Sequence, residues 1–87
     1  MQFSVASTTE KANIYPNPVT DNEFVVKTQK NINKVIVLSV TGQIVTTEKA
    51  FSRQMVRVDL DKAKSGLYIV KVVYADKTEY VHRLIVK

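Results

Sequence analysis

The 87-residue chain contains no cysteine, two glycines and one histidine. Without cysteine, no disulfide cross-links the domain and no cysteine-based metal site forms, although this absence does not determine the cellular compartment. Both glycines, Gly42 and Gly66, lie in predicted turns. A glycine-rich loop of the kind that binds phosphate is therefore excluded.

Long apolar runs are missing as well. No stretch approaches the roughly 20 apolar residues that a membrane-spanning helix requires, and residues 1–7 lack the charged and then apolar order of a secretion signal. Hydrophobic residues nevertheless make up 45% of the chain, which is too high a fraction for a disordered tail. We therefore expect one domain with one modest core and no membrane insertion.

Basic residues outnumber acidic ones. Lys and Arg number 13 against 8 Asp and Glu, which gives a net charge of +5, and such a domain attracts anionic partners. The basic residues are scattered, however, and the clustered stripe with exposed aromatics that nucleic-acid binding requires is missing. We expect no nucleic-acid partner and interpret the charge as a solvated surface that protects sheet edges.

Short apolar runs separated by turn residues predict strands along almost the whole chain. β-branched residues and two-residue alternation favour strand over helix, and several short strands at regular spacing are typical of a two-sheet sandwich. The predicted fold class is all-β, a seven-stranded antiparallel immunoglobulin-like β-sandwich. The predicted strands cover residues 14–15, 23–28, 34–40, 43–48, 54–60, 67–74 and 78–87, and the polar connection 61–66 has room for a short helical turn.

Several segments carry more specific expectations. Residues 31–33 are predicted to form a turn, residues 49–53 a loop and residues 75–77 a hairpin turn. Residues 34–40 are apolar on both faces, which predicts a central strand whose outer side is covered by a loop or a neighbouring element. Pro16 and Pro18 each lack a backbone donor, so their segment belongs at an edge or in a turn.

His82 is the only candidate on which a hydrolytic triad can be built. Strand alternation places it on the same side as Tyr80 and Leu84, and no serine and aspartate can be placed beside it. Asp59 and Asp61 have a spacing compatible with calcium, but the further oxygen ligands that calcium needs are not evident nearby. We therefore expect no enzymatic activity, no metal and no cofactor.

Tyr68 lies in the apolar phase of its strand, beside Val70 and Val72. Tyrosines of this kind in sandwich domains lie in the core and bond their hydroxyl to the backbone. A face of exposed aromatics, which a fibronectin-like cell-surface adhesion or carbohydrate-binding module would present, is not predicted. A structural spacer within a larger enzyme is a third interpretation, and it requires that the natural chain continue beyond Lys87.

Five short motifs follow one another from Tyr15 to the last residue. They are Tyr15-Pro16-Asn17-Pro18, the run 35–45 with Gly42, Val58-Asp59-Leu60, the run 65–72 with Gly66 and Tyr68, and Arg83-Leu84-Ile85-Val86-Lys87. Each motif alone is weakly specific. In this order, over residues 14–87, they resemble the type A C-terminal sorting domain of the type IX (Por) secretion system.

The resemblance implies a function that the residues alone do not reveal. Members of this family form a seven-stranded sandwich at the end of a larger exported cargo protein. In the periplasm of a Gram-negative bacterium they act as a sorting signal. Outer-membrane translocon and shuttle proteins then carry the cargo to the cell surface or the extracellular space. A sortase of the cysteine-peptidase class then usually removes the domain and joins the cargo to an anionic lipopolysaccharide, although some members of the family keep the domain. By this resemblance the chain is a substrate and not an enzyme.

The resemblance also divides the chain. Residues 1–13 would be a lead segment that contains the processing region, with the cut between Ser4 and Asn13, and residues 14–87 would be the sorting domain. Most of the export information would lie in residues 66–87. The oligomeric state and the nature of the cargo stay open.

The C-terminal residues are predicted to be strand, although termini normally fray unless they are tied into a sheet. We therefore expect the C-terminus itself to be part of the working surface. An edge strand would let a partner extend the sheet by β-augmentation, and Lys71, Arg83 and Lys87 would attract an acidic receptor. The sequence does not indicate which strand lies at an edge.

Overall fold

The computed structural model describes residues 12–17, 19, 22–60 and 64–87. These residues form no helix, and hence none long and apolar enough to cross a membrane. The strands are β1 (Asn13–Tyr15), β2 (Glu23–Ser39), β3 (Ile44–Asp59), β4 (Gly66–Tyr74) and β5 (Glu79–Val86). All pairings between these strands are antiparallel, so the prediction of an all-β antiparallel fold is confirmed.

Strand β2 is the centre of the sheet. Along one side it pairs with β3 over nearly its whole length, from Glu23↔Asp59 to Leu38↔Ile44. On its other side, the first half of β2 pairs with β1 and the second half pairs with β4, which in turn pairs with β5. A parallel bridge from Val19, just beyond β1, to the end of β5 then brings the two ends of this sheet together. The sheet is therefore curled around its core.

Two predicted connections lie inside strands. Residues 31–33, predicted as a turn, belong to β2, and residues 49–53, predicted as a loop, belong to β3. The pairing register shifts on both sides of Ile32, and Phe51 and Ser52 have left-handed φ values of 53° and 64°. Such bulges bend a strand without ending its pairing. The turn and loop predictions were wrong because polar residues at a bulge resemble those of a turn.

The predicted seven-stranded immunoglobulin-like sandwich is therefore not confirmed. In the parts of the chain that the structure describes there are five strands. Strand β2 joins the predicted strands 23–28 and 34–40, and β3 joins 43–48 and 54–60. The polar connection 61–66 lies partly outside the described residues. The two long bent strands allow one sheet to surround a core that the sequence had assigned to two separate sheets.

The core follows the two-residue alternation of the strands. Side chains on the concave side are buried, including Phe24 and Val26 of β2, Val70 and Val72 of β4 and Leu84 of β5. These residues belong to a single hydrophobic cluster. Because successive side chains point to opposite faces of a strand, the intervening residues face outward. The apolar residues of this pattern therefore fix the curvature and hold β5 against the rest of the sheet.

The outer face of the predicted central strand is only partly covered. Ile36 and Leu38 of β2 are half-buried between cross-strand neighbours such as Lys71 and Ile69 of β4. Among the described residues, the side chains of adjacent strands in the same sheet shield this face in part, and no other element is paired over it, so the predicted cover of residues 34–40 is not confirmed.

Candidate functional site

The side chain of Asn17 binds the backbone of β5 at two points. Its Nδ2 donates to the carbonyl oxygen of Arg83 at 3.2 Å, and its Oδ1 accepts from the N–H of Ile85 at 3.2 Å. A carboxamide offers the same donor and acceptor as a peptide group. Asn17 therefore takes the place that one residue of a neighbouring strand would occupy.

Val19 continues this pairing with its own backbone. Its N–H donates to the carbonyl oxygen of Ile85 at 2.7 Å, and its carbonyl oxygen accepts from the N–H of Lys87 at 2.9 Å. We call Asn17, Val19 and the backbone of residues 83–87 the terminal clasp. The clasp confirms the expectation that the C-terminal residues are tied into the sheet.

The strand held by the clasp has two different faces. Leu84 and Val86 are buried in the core, with 0% and 2% of their surface exposed. Arg83, Ile85 and Lys87 alternate with them and are exposed. The buried pair anchors the strand, while the exposed set forms a fixed surface of one apolar and two basic side chains.

Gly66 and Tyr68 lie beside this strand at the start of β4. Gly66 is opposite Val86 and has φ of 150°, in the range that favours glycine, and Tyr68 is opposite Leu84. The half-buried Tyr68 packs against the core and its hydroxyl donates to the carbonyl oxygen of Lys64 at 2.7 Å. The predicted hydroxyl bond to the backbone is confirmed, whereas the side chain lies at the margin of the core and not within it as predicted.

Gly42 and Pro16 make none of the hydrogen bonds of the clasp. Gly42 has φ of 93° and its N–H donates to the carbonyl oxygen of Ser39 at 2.9 Å, in the turn between β2 and β3. Pro16 is exposed just ahead of Asn17. Pro18 and almost all of the predicted processing region lie outside the described residues.

The first half of β5 has an open edge. Because the backbone groups of Arg83 and Ile85 face Asn17, strand alternation makes those of Glu79 and Val81 face the same way. Within the described ranges, no residue pairs with β5 on this side ahead of Arg83. An open groove runs between β1 and β5, and its walls include Tyr15, Lys27 and His82. We call it the edge groove.

His82 lies in the wall of the edge groove with Tyr80. Their rings stack with centroids 5.9 Å apart and planes at 16°, and the Tyr80 hydroxyl lies 3.4 Å from His82 Nδ1. The prediction that these two residues share one side of β5 is confirmed. In the described part of the chain, no set of three histidine or acidic residues is placed to hold a metal. Asp61, one of the two acids whose spacing was weighed for calcium, lies outside that part.

An ionic cluster fixes the opposite end of β5. Lys30 Nζ lies 2.6 Å from Asp76 Oδ2, donates to Thr78 Oγ1 at 2.9 Å, and lies 5.0 Å from the centre of the Tyr74 ring. Hydrogen bonds from Lys30 and then Thr78 hold the pKa of Asp76 well below its usual range. The cluster joins the predicted 75–77 hairpin turn, which is confirmed, to the middle of β2.

The geometry can be compared with known proteins. A family model described as the secretion system C-terminal sorting domain matches residues 13–87. The chain belongs to this family. The match begins at the first residue of β1 and includes every strand described above. The resemblance to the sorting domain of type IX secretion is thereby confirmed.

Solved structures show the same fold in other settings. One is PorZ, an essential bacterial surface component of the type IX secretion system of Porphyromonas gingivalis, with a TM-score of 0.69 at 21% identity. That match covers 87% of this chain but only 11% of PorZ. A second is CopC from Methylosinus trichosporium OB3b, with a TM-score of 0.54 at 14% identity, covering 88% of this chain and 94% of CopC. At these identities the likeness concerns the fold alone. No curated protein sequence matches the chain.

Sequence reasoning named most members of the clasp but missed the contacts between them, and it did not assemble the edge groove. Asn17 was marked by the family resemblance, without its contact to β5, and Val19 was not marked at all. The one available signal was an apolar residue placed directly after Pro-Asn-Pro. Tyr15 and Lys27 come together with His82 only through the order of the strands, and local alternation does not contain that order.

Proposed function

We propose that this chain is a C-terminal sorting signal that directs a larger cargo protein across the outer membrane through the type IX secretion system. Membership of the sorting-domain family supports this proposal. The observation that carries it is the terminal clasp, because it holds residues 83–87 in a defined strand. A receptor can recognise such a surface without first ordering it, which lowers the entropic cost of binding.

On this proposal the partners are the translocon and shuttle proteins of the secretion system, and the chain is their substrate and not an enzyme. Recognition uses the exposed side chains of Arg83, Ile85 and Lys87. The two basic residues attract an acidic receptor surface over a distance of about one Debye length, roughly 8–10 Å. Ile85, with 48% of its surface exposed, supplies apolar contact area at the same place. The route runs from the periplasm to the cell surface or extracellular space.

We propose further that a sortase-type cysteine peptidase cuts within residues 1–13 and attaches the cargo to an anionic lipopolysaccharide. A cut ahead of Asn13 would leave all five described strands and the clasp intact. The released domain would thus keep its fold after processing. All described strands and the clasp lie after the cut, so the peptidase could release the domain without opening the sheet.

The proposal is tested with a reporter fused ahead of residues 1–87 and delivered to the periplasm of a bacterium that has a type IX system. We expect the full fusion to reach the surface or the medium. The same fusion lacking residues 83–87 is expected to remain in the periplasm, and so is a full-length fusion with Arg83→Glu and Lys87→Glu, which keeps the buried Leu84 and Val86. A strain without the translocon serves as the control in which neither fusion leaves. Normal export of the truncated fusion would contradict the proposal.

A further inference from the structure

We propose that an extended segment of a protein partner, bearing acidic side chains, pairs with the open edge of β5 at residues 79–83 and lies in the edge groove. This inference rests on the proposed function and names how the same terminal strand is bound. The mode is β-augmentation, in which main-chain hydrogen bonds give affinity and side-chain contacts give specificity.

Backbone groups along the first half of β5 have no partner among the described residues. The N–H and C=O of Val81 face away from β4, as do those of Glu79, and neither residue has a partner on that side among the residues the structure describes. Tyr80 and His82 bond toward β4 instead. A strand laid along this edge would satisfy the open groups without disturbing any bond already present.

The clasp already begins a strand along this edge of β5. Asn17 and Val19 occupy the line next to residues 83–87, on the same side of β5 as the open groups. A partner segment of about five residues, at ~3.3 Å each, would continue that line toward the hairpin. Because Asn17 already occupies the position opposite residues 83–85, the added strand must end before it. This end point limits the register in which the added strand can pair with β5.

The edge groove has a basic lining. It contains Lys27 and, among the described residues, no carboxylate. The only acid on β5 is Glu79, and its charge is partly balanced because its Oε1 lies 3.5 Å from Lys71 Nζ. Tyr15, 46% exposed, and the stacked pair of Tyr80 and His82 add aromatic contact area. Acidic side chains on the incoming segment complement this surface.

Val81→Pro tests the backbone pairing. The outward N–H of Val81 bonds to nothing in the described domain, so proline removes only the donor that the partner would use and blocks the edge. Thr47→Pro is the matched control. By the same alternation its N–H faces away from β2 on the β3 edge, and its side chain is exposed. We expect Val81→Pro to slow reporter export about tenfold and Thr47→Pro to leave the rate within about twofold.

Lys27→Glu tests the charge and stays informative if Val81→Pro does not fold. Lys77→Glu makes the same change of charge in the exposed hairpin turn, away from the edge groove. We expect Lys27→Glu to slow export and Lys77→Glu to leave it unchanged, with equal thermal unfolding midpoints for both variants.

Three outcomes would overturn the inference. One is a folded Val81→Pro variant that exports at the wild-type rate. Another is equal export of Lys27→Glu and Lys77→Glu. The third is a change in oligomeric state on Val81→Pro, which would identify a second copy of this chain as the occupant. Failure of the unaltered fusion to leave the cell would instead refute the proposed function, so the two failures are distinguishable.

Discussion

Strands β3 and β5 both lie at an edge of the sheet, but their edges are built differently. Strand β3 is 16 residues long and its pairing with β2 is interrupted by register shifts. It carries Lys49, Arg53 and Arg57, and its left-handed residues Phe51 and Ser52 stand in the middle. Bulges and charges are the features by which proteins keep edge strands from pairing with other chains.

Strand β5 has none of these interruptions in the described pairing. Its eight residues pair with β4 in unbroken register, from Gly66↔Val86 to Val73↔Glu79. Its edge is divided instead, because the clasp covers the last residues, while no residue that the structure describes pairs with the part ahead of Arg83. The edge of β3 is thus protected along its length by bulges and charged side chains. The edge of β5 is held at its end by Asn17 and Val19, and the rest of it is regular enough to pair with another strand.

The largest expected effect is on the free energy of unfolding, and it distinguishes an apolar side chain of β5 from one of β3. Leu84 is fully buried, whereas Phe51 on β3 is 75% exposed. Leu84→Ala should lower the free energy of unfolding by about 2–5 kcal/mol, since it leaves a cavity in the core. Phe51→Ala should change it by no more than about 0.5 kcal/mol, although more atoms are removed. Denaturant unfolding of both variants measures the difference, and comparable losses would show that β3 is anchored through Phe51.

A smaller expected effect is a difference in acid sensitivity between the hairpin turns that precede β5 and β3. The turn before β5 is held by the charged pair of Lys30 and Asp76, whereas the turn before β3 is held by neutral hydroxyls, with Ser39 Oγ and Thr41 Oγ1 2.8 Å apart. The pKa of Asp76 is lowered in the folded state. Its contribution to stability is therefore present above the ordinary carboxyl pKa of about 3.9 and is lost as pH falls below that value.

Acid should thus loosen the hairpin before β5 and leave the hairpin before β3 unchanged. Amide exchange of Lys77 and Gln43, followed from pH 6 to pH 2 and corrected for the intrinsic rates, measures the two turns separately. In Asp76→Asn the pH dependence at Lys77 should vanish. Equal acid sensitivity of both turns in the unaltered chain would remove this part of the comparison.

The parts of the fold that depend on local alternation could be predicted from the sequence. The burial of Val70 and Val72, the shared side of Tyr80 and His82 and the hairpin at 75–77 follow from residues next to one another in the chain. The continuity of β2 through Ile32 could not be predicted, because a bulge is defined by the opposite strand. Polar residues on either side of Ile32 are compatible with both a turn and a bulge.

The candidate site shows the same limit. The resemblance of the motifs singled out Asn17 and residues 83–87, but only the three-dimensional structure shows that they are bonded to each other. The edge groove depends on strand order, which places β1 and β5 at opposite ends of one path and then brings them together through Val19. Contacts between residues so far apart in the chain leave no periodic signal along it.

The clasp is proposed to hold residues 83–87 in the conformation that the secretion receptor recognises. Amide exchange of Asn17→Ala tests it most directly, with Asn33→Ala, an exposed asparagine on β2, as the matched control. Loss of two hydrogen bonds should speed exchange at Ile85 and Lys87 by at least about tenfold, while Val72 in the centre of the sheet is unaffected. Export of the reporter should slow in the same variant. Exchange at Lys87 that matches the Asn33→Ala control, together with normal export, would contradict the account.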